Sequence, residues 1–495
     1  MRQRTLRARF RFASIAALLA AGGGTASANE LPAESSASPD EIAQLKATVE
    51  RLTTRVNELE RADGEQWLSE ERAAQIRSVV TDVLADAETR SNFQSDAALA
   101  GYEPGKGFFL QSADGNYSLR FAGQIQFRYT LNHAGDQRTE YGFQLRRTRL
   151  TFEGHIIDPS WTYKIQAAFG RGSNIPLAVN TSDFFVEDAW VEKDFGDGLS
   201  LRIGQFRSPW LQEDLVSSRR QLAVERSLLA GYFQQNFNRG IQLEWETDRF
   251  RLRAWTGNGI RSPFAPLSST VVSSNWNTDP TAYSFIGRAE VKFGDATWRE
   301  FEDFNSFRGG GTGVMLGVSG LYQRYDRAFV GGRADATVVS GITGDITVNF
   351  GGASLFAYGV WESGEDSTTF VGDDPLGTQN PWGFLVQGGY FLSDDLEAFA
   401  RYEYGVLGAS GRGPSDGMLV PYTDNRLNLL TVGFNWFIRR NDLKFTFDWG
   451  VNLDTLGLPA YGPIGYGSNP GAGYRTDLPG QELQWSLRAQ MQLLF

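Results

Sequence analysis

The stretch "FQLRRTRLTFEGHI", residues 143 to 156, sets Arg147, Arg149, Thr151 and Glu153 two apart, opposite Leu150, Phe152 and Ile156. A strand sends successive side chains to opposite faces, so one face here gathers guanidinium and the other is apolar. The same alternation runs through "YSLRFAGQIQFRYTLN", residues 117 to 132, where Arg120, Gln124, Gln126 and Arg128 oppose Phe121, Ile125, Phe127 and Tyr129. Further on, Lys164 and Gln166 oppose Tyr163, Ile165 and Ala167. A guanidinium fork holds an oxyanion through two charge-assisted hydrogen bonds, whereas an ammonium acts as a point charge. Arg120, Arg128, Arg147, Arg149 and Lys164 therefore form a modest basic ladder suited to passing small anions. Arg146 falls on the apolar parity near a strand end, where its side chain is expected to snorkel.

A second charged group lies in residues 208 to 237. Arg219, Arg220 and Arg226 oppose Glu213, Asp214 and Glu225, with Arg207 and Arg239 at the two ends. Mixed signs leave three readings open. The arginines face an opening while the acids hold the segment in place, or every charge is paired, or the balance is acidic. Catalytic chemistry is not indicated, and no catalytic residue is assigned. Nucleophilic hydrolysis needs a histidine beside a nucleophile, yet the chain has only His133 and His155, which strand reckoning puts at opposite ends. With no cysteine and two separated histidines, neither a disulfide scaffold nor a metal site is expected, and no cofactor is implied.

The elements that must position these groups follow from the rest of the 495 residues. Hydrophobic residues make up 41% and mean hydropathy is -0.33. Beyond the N-terminus no run of about 20 apolar residues occurs, which excludes spanning helices but not spanning strands. From residue 117 about sixteen alternating segments can be counted, starting near 117, 143, 160, 185, 199, 238, 249, 282, 313, 336, 353, 382, 396, 426, 442 and 482. Short turns such as "DPS", "GDG", "SDD" and "RRND" fall at one end. The long stretches 208–237, 258–281, 362–381, 406–425 and 455–481 fall at the other. Short periplasmic turns, long outer loops and an even strand count are the pattern of outer-membrane barrels. One connection, 295–312, is too long for its side. Aromatics near strand ends, among them Trp161, Tyr322, Trp382, Tyr390, Trp436 and Trp449, fit interfacial girdles. The expected fold is thus all-β: a closed antiparallel transmembrane barrel of about 16 strands over 107–495, facing outer-membrane lipid.

Ahead of it, "MRQRTLRARFRF" with five arginines, a short apolar stretch and "ASA" at 26–28 read as a signal peptide over 1–28. Its removal takes the formal net charge from -11 to -16. So acidic a chain is not expected to bind nucleic acid. Ile42, Leu45, Val49, Leu52, Val56 and Leu59 then form a heptad seam after a Ser38-Pro39-Glu41 start. Three heptads need partner chains for stability, so 29–106 is expected to be a periplasmic coiled-coil stalk, with the boundary at "YEPGKG".

"IGQFRSPWLQEDLVSSRRQLAVERSLLAGYFQQNFNRGI", residues 203 to 241, resembles the signature of the phosphate-selective porin O and P family. The matching elements are Gly204-Gln205-Phe206, Pro209, Glu213, Ser217-Ser218, Glu225-Arg226-Ser227 and Asn238-Arg239-Gly240. The arginine-rich strand 143–156 is similar to one common in that family. This resemblance implies a homotrimeric, sixteen-stranded outer-membrane porin in which 208–237 folds into the pore as a constriction, carrying Glu213, Asp214, Arg219, Arg220, Glu225 and Arg226. It departs from the family in having six lysines in all and none within 208–237. The expected function is passive diffusion of small anions, phosphate among them. The alternatives are a general, sugar-specific or organic-acid-specific porin, with Trp190 or Trp210 as a stacking surface, or a tether joining the envelope to a periplasmic or cell-wall partner through the stalk.

Overall fold

The computed structural model describes residues 43, 46–55, 98–103, 106–135, 138–169, 184–259, 281–326, 336–371, 374–407, 426–454, 473–474 and 483–495. The chain divides into two compact units, Met1–Asp96 and Ala97–Phe495. In the first, residues 46–55 are helical, and Leu52 stands 60% exposed on them. The expected signal peptide lies outside the described residues.

The second unit starts at Ala97. It opens with a short hairpin, β1 (Leu99–Glu103) and β2 (Gly107–Gln111).

After the hairpin come β3 (Ser118–His133), β4 (Glu140–Ile156), β5 (Asp158–Phe169), β6 (Phe184–Asp194), β7 (Leu199–Arg207), β8 (Phe237–Glu246), β9 (Phe250–Gly257) and β10 (Thr281–Gly294). They continue as β11 (Thr312–Asp326), β12 (Ala336–Phe350), β13 (Ala353–Val371), β14 (Asp374–Gln379), β15 (Trp382–Phe391), β16 (Leu396–Val406), β17 (Arg426–Arg439), β18 (Leu443–Asn452) and β19 (Trp485–Leu494). Each pairs antiparallel with its neighbour, and β19 closes on β3 from Trp485↔His133 to Leu494↔Gln124. Strands β14 and β15 pair with successive parts of β13 and make one stave. Omitting β1 and β2 and merging these two leaves sixteen staves, as the alternation predicts. Closure gives each of these sixteen staves a neighbour on both sides, the condition for a sheet to sit in lipid.

Alternation sets the two surfaces. On β15, Trp382, Phe384 and Val386 are exposed on the outside while Leu385 and Gln387 are buried within. At the short-turn end, Gly196, Asp197 and Gly198 all take positive φ, which lets the chain reverse within three residues. The connection 295–311 differs from the other turns. It carries a short helix, Trp298–Phe301, begun by a capping box between Thr297 and Glu300, and then folds inward: the Phe304 ring packs tilted on Phe356 of β13 at 4.5 Å and Phe307 meets Phe437 of β17 edge-on at 4.9 Å. Its length therefore reflects an inward-folded segment and not an error of strand register.

Candidate functional site

Residues 208–237 leave β7, enter the lumen and return to β8. Segment Gln212–Leu215 is helical, Ser218–Arg220 is a 3-10 turn and Leu228–Phe233 is helical. Their apolar side chains, including Trp210, Leu211, Val216, Leu222, Leu229 and Phe233, are almost fully buried. They pack on an apolar patch of the inner wall formed by Leu321, Val339, Phe356, Val360, Leu385, Phe399 and Leu429. Strand β13 shows why the sequence folds this way. Its inward residues Phe356, Tyr358 and Val360 are as apolar as its outward Leu355 and Trp361, so the inner face there needs cover from water. That loss of alternation was the available signal for where the loop would lie.

The signature residues form the skeleton of the loop. Glu213 accepts hydrogen bonds from the Ser227 backbone N at 2.7 Å and Oγ at 2.6 Å. Ser227 Oγ in turn accepts from Ala230 N at 2.8 Å, capping the second helix. Arg226 donates to the carbonyls of Glu213 (2.9 Å) and Val216 (2.6 Å), and Asn238 donates to Gln235 O at 3.0 Å. Gln205 donates to the carbonyls of Val186 and Glu187 at 2.7 and 2.9 Å. Gly204, at φ +140, sits where a Cβ would lie 2.2 Å from Ala189 O.

Three arginines converge on Glu225. Its Oε2 accepts from Arg128 Nη2 at 2.8 Å, Arg146 Nε at 2.7 Å and Arg147 Nη1 at 3.3 Å, while Arg147 Nη2 donates to Oε1. The expected outward direction of Arg146 is overturned by a bulge: Gln126 faces Arg147 and Phe127 faces Leu145, leaving Arg146 as an extra residue that turns inward. Burial alone would raise the Glu225 carboxyl, but Arg146, Arg147 and Arg128 hold it well below the usual carboxylate range.

The remaining candidates divide by position. Arg120 donates to Glu103 of the β1–β2 hairpin at 2.6 Å. Arg149 donates to Ser218 Oγ at 2.6 Å and Glu187 Oε1 at 2.5 Å, and Lys164 pairs with Asp188 at 3.0 Å. Arg219 donates to Thr151 Oγ1 at 3.2 Å. Arg220 accepts at its carbonyl from Phe304 N at 3.1 Å, so the loop and the inward-folded segment 295–311 meet inside the lumen. Asp214 pairs with Arg207. Of the two histidines, His155 bonds Ser118 near the short turns and His133 bonds Thr139 at the other end, so they share no site.

Between the loop and strands β4–β9 lies a cavity of ≈ 400 Å³. Seven cationic residues line it, Arg149, Lys164, Arg202, Arg207, Arg226, Arg251 and Arg253, against the four carboxylates Asp188, Glu244, Glu246 and Glu302. Of the ladder expected from sequence, Arg149 and Lys164 lie here, and of the loop residues Arg226. Arg202, Arg251 and Arg253, on β7 and β9, were missed, although each alternates with apolar neighbours just as Arg128 does between Phe127 and Tyr129. Trp190 also lines the cavity, with the Arg202 guanidinium 4.4 Å from its ring centroid, whereas Trp210 is buried in the loop core.

Residues 116–344 match the family described as phosphate-selective porin O and P. Among solved structures the chain is similar to an anion-selective porin from Comamonas acidovorans, with 14% identity over 77% of this chain and 100% of that one, at a TM-score of 0.48. It is also similar to the outer membrane channel DcaP of Acinetobacter baumannii (10% identity, 80% and 100% covered, TM-score 0.48) and to OmpT of Vibrio cholerae (12%, 77% and 98%, TM-score 0.47). Comparison with curated proteins returned no match. The family match, which contains the 203–241 signature, and the closed sixteen-strand barrel identify an outer-membrane porin-type channel and point away from an enzyme.

Proposed function

We propose that this porin passes small anions by diffusion along the cavity between the loop and strands β4–β9. The observation that carries this reading is the sign of the lining: cations outnumber carboxylates there in a chain whose formal net charge is -11. In a narrow lumen, fixed charge of one sign concentrates ions of the other. Arginine supplies nearly all of it, which suits oxyanions such as phosphate as well as chloride. In this reading the short turns face the periplasm, 1–28 is a signal, the segment from residue 29 onward, expected over 29–106, is a periplasmic coiled-coil stalk, and three copies assemble. The loop closes the centre of the barrel, while Arg128, Arg146 and Arg147 hold it through Glu225.

A reversal potential in a planar bilayer under a potassium chloride gradient tests the reading. Wild type is expected to favour chloride, with added phosphate reducing chloride current. Lys164→Glu with Arg202→Glu, both about a quarter exposed on the cavity, should move the potential toward potassium. A cation-favouring wild type would overturn anion preference and leave a general porin.

A further inference from the structure

The ion pairs along the cavity reverse their exposure from one end to the other. Toward the long-loop end the cation of each pair is the more exposed partner: Arg207 over Asp214 (16% against 3%), Arg149 over Glu187 (9% against 4%) and Lys164 over Asp188 (26% against 10%). At mid-height Arg202 and Glu192 are nearly equal, at 25% and 20%. Near the short turns the order inverts. Glu246 (38%) and Glu302 (45%) both cover Arg251 (4%), at 3.5 and 3.1 Å, and Glu244 (21%) covers Arg253 (10%) at 3.1 Å. The buried Glu290 neutralises the same two arginines from beneath, at 2.5 and 2.8 Å. Arg251 and Arg253 thus face four carboxylates, and those in contact with water are Glu244, Glu246 and Glu302. One of them, Glu302, is delivered by the inward-folded segment 295–311, whose Trp298 ring lies 4.5 Å from the Arg251 guanidinium.

We propose that the passage is bipolar, cationic toward the long loops and anionic at the short-turn mouth, and that Glu246 and Glu302 are specificity-determining residues which temper its anion preference and make its current asymmetric. This rests on the permeation route assigned above. The physical reason is that mobile ions respond to the charge they can approach, and water-facing carboxylates screen the guanidinium behind them. With opposite fixed charges in series, a field driving anions from the cationic end and cations from the anionic end fills the passage with carriers. The reverse field empties it.

Single-channel currents in symmetric potassium chloride test this. Wild type should pass unequal currents at the two polarities. Glu246→Gln with Glu302→Gln should bring the ratio toward one and raise the preference for chloride in a salt gradient. Both positions are water-facing, so the barrel should survive, and heat-modifiable migration on gels checks that it does. Equal currents in wild type would overturn the proposal, as would a folded double variant with unchanged ratio and reversal potential. Lys164→Glu with Arg202→Glu separates this outcome from failure of the route itself: if that variant leaves the reversal potential unmoved, ions do not travel this cavity.

Discussion

At the scale of single residues, the arginines that stand out in the sequence serve two different ends. Arg128, Arg146 and Arg147 are spent on Glu225, while Arg149, Lys164, Arg202 and Arg226 line the cavity. Removing one partner from a buried pair costs about 3–5 kcal/mol because the other charges stay desolvated. Glu225→Gln, which strands three guanidinium groups, is therefore expected to loosen the loop, raise single-channel conductance and expose 208–237 to protease. An unchanged conductance would show that the apolar contacts alone hold the loop. The pH dependence follows from the direction of the Glu225 shift. Its folded value lies below that of an unfolded carboxylate, near about 4.3. Its contribution is complete above that point and is lost as pH falls through the folded value. Conductance should hold steady from neutral to mildly acidic pH and rise only in stronger acid.

Among the elements, the loop and the segment 295–311 share the task of filling the lumen, one from each end. Phe304, 1% exposed and packed on Phe356, ties the second of them to the wall. Truncating a buried phenylalanine costs about 3–5 kcal/mol, so Phe304→Ala should lower the denaturation midpoint and increase conductance as the segment loosens. If conductance stays the same while stability falls, the segment braces the barrel without narrowing it. The bulge in β4 is the other decisive element, because one extra residue turns an arginine from lipid to lumen.

For the whole molecule, the property to test is the proposed assembly of three copies. Leu52 is exposed on the described helical stretch, and the seam containing Val49 and Leu52 has the spacing of a coiled coil. If three copies assemble as proposed, Val49→Asp with Leu52→Asp should lower the temperature at which the detergent-solubilised oligomer dissociates; an unaltered temperature would remove the stalk from assembly. The sequence by itself determined the barrel. Strand number, start points and the inward face of Arg149 and Lys164 follow from a period of two, a local geometric rule that each residue obeys regardless of its distant partners. It also marked 203–241 as a unit, though not that Glu213, Arg226 and Ser227 would be its internal bonds. What only the tertiary structure decided was which inward charges meet and which face water. Glu225 lies about a hundred positions from Arg128 and eighty from Arg146, and Glu302 reaches Arg251 only because 295–311 folds back into the lumen. Pairing across such separations depends on barrel closure and loop packing, for which alternation along a strand carries no information.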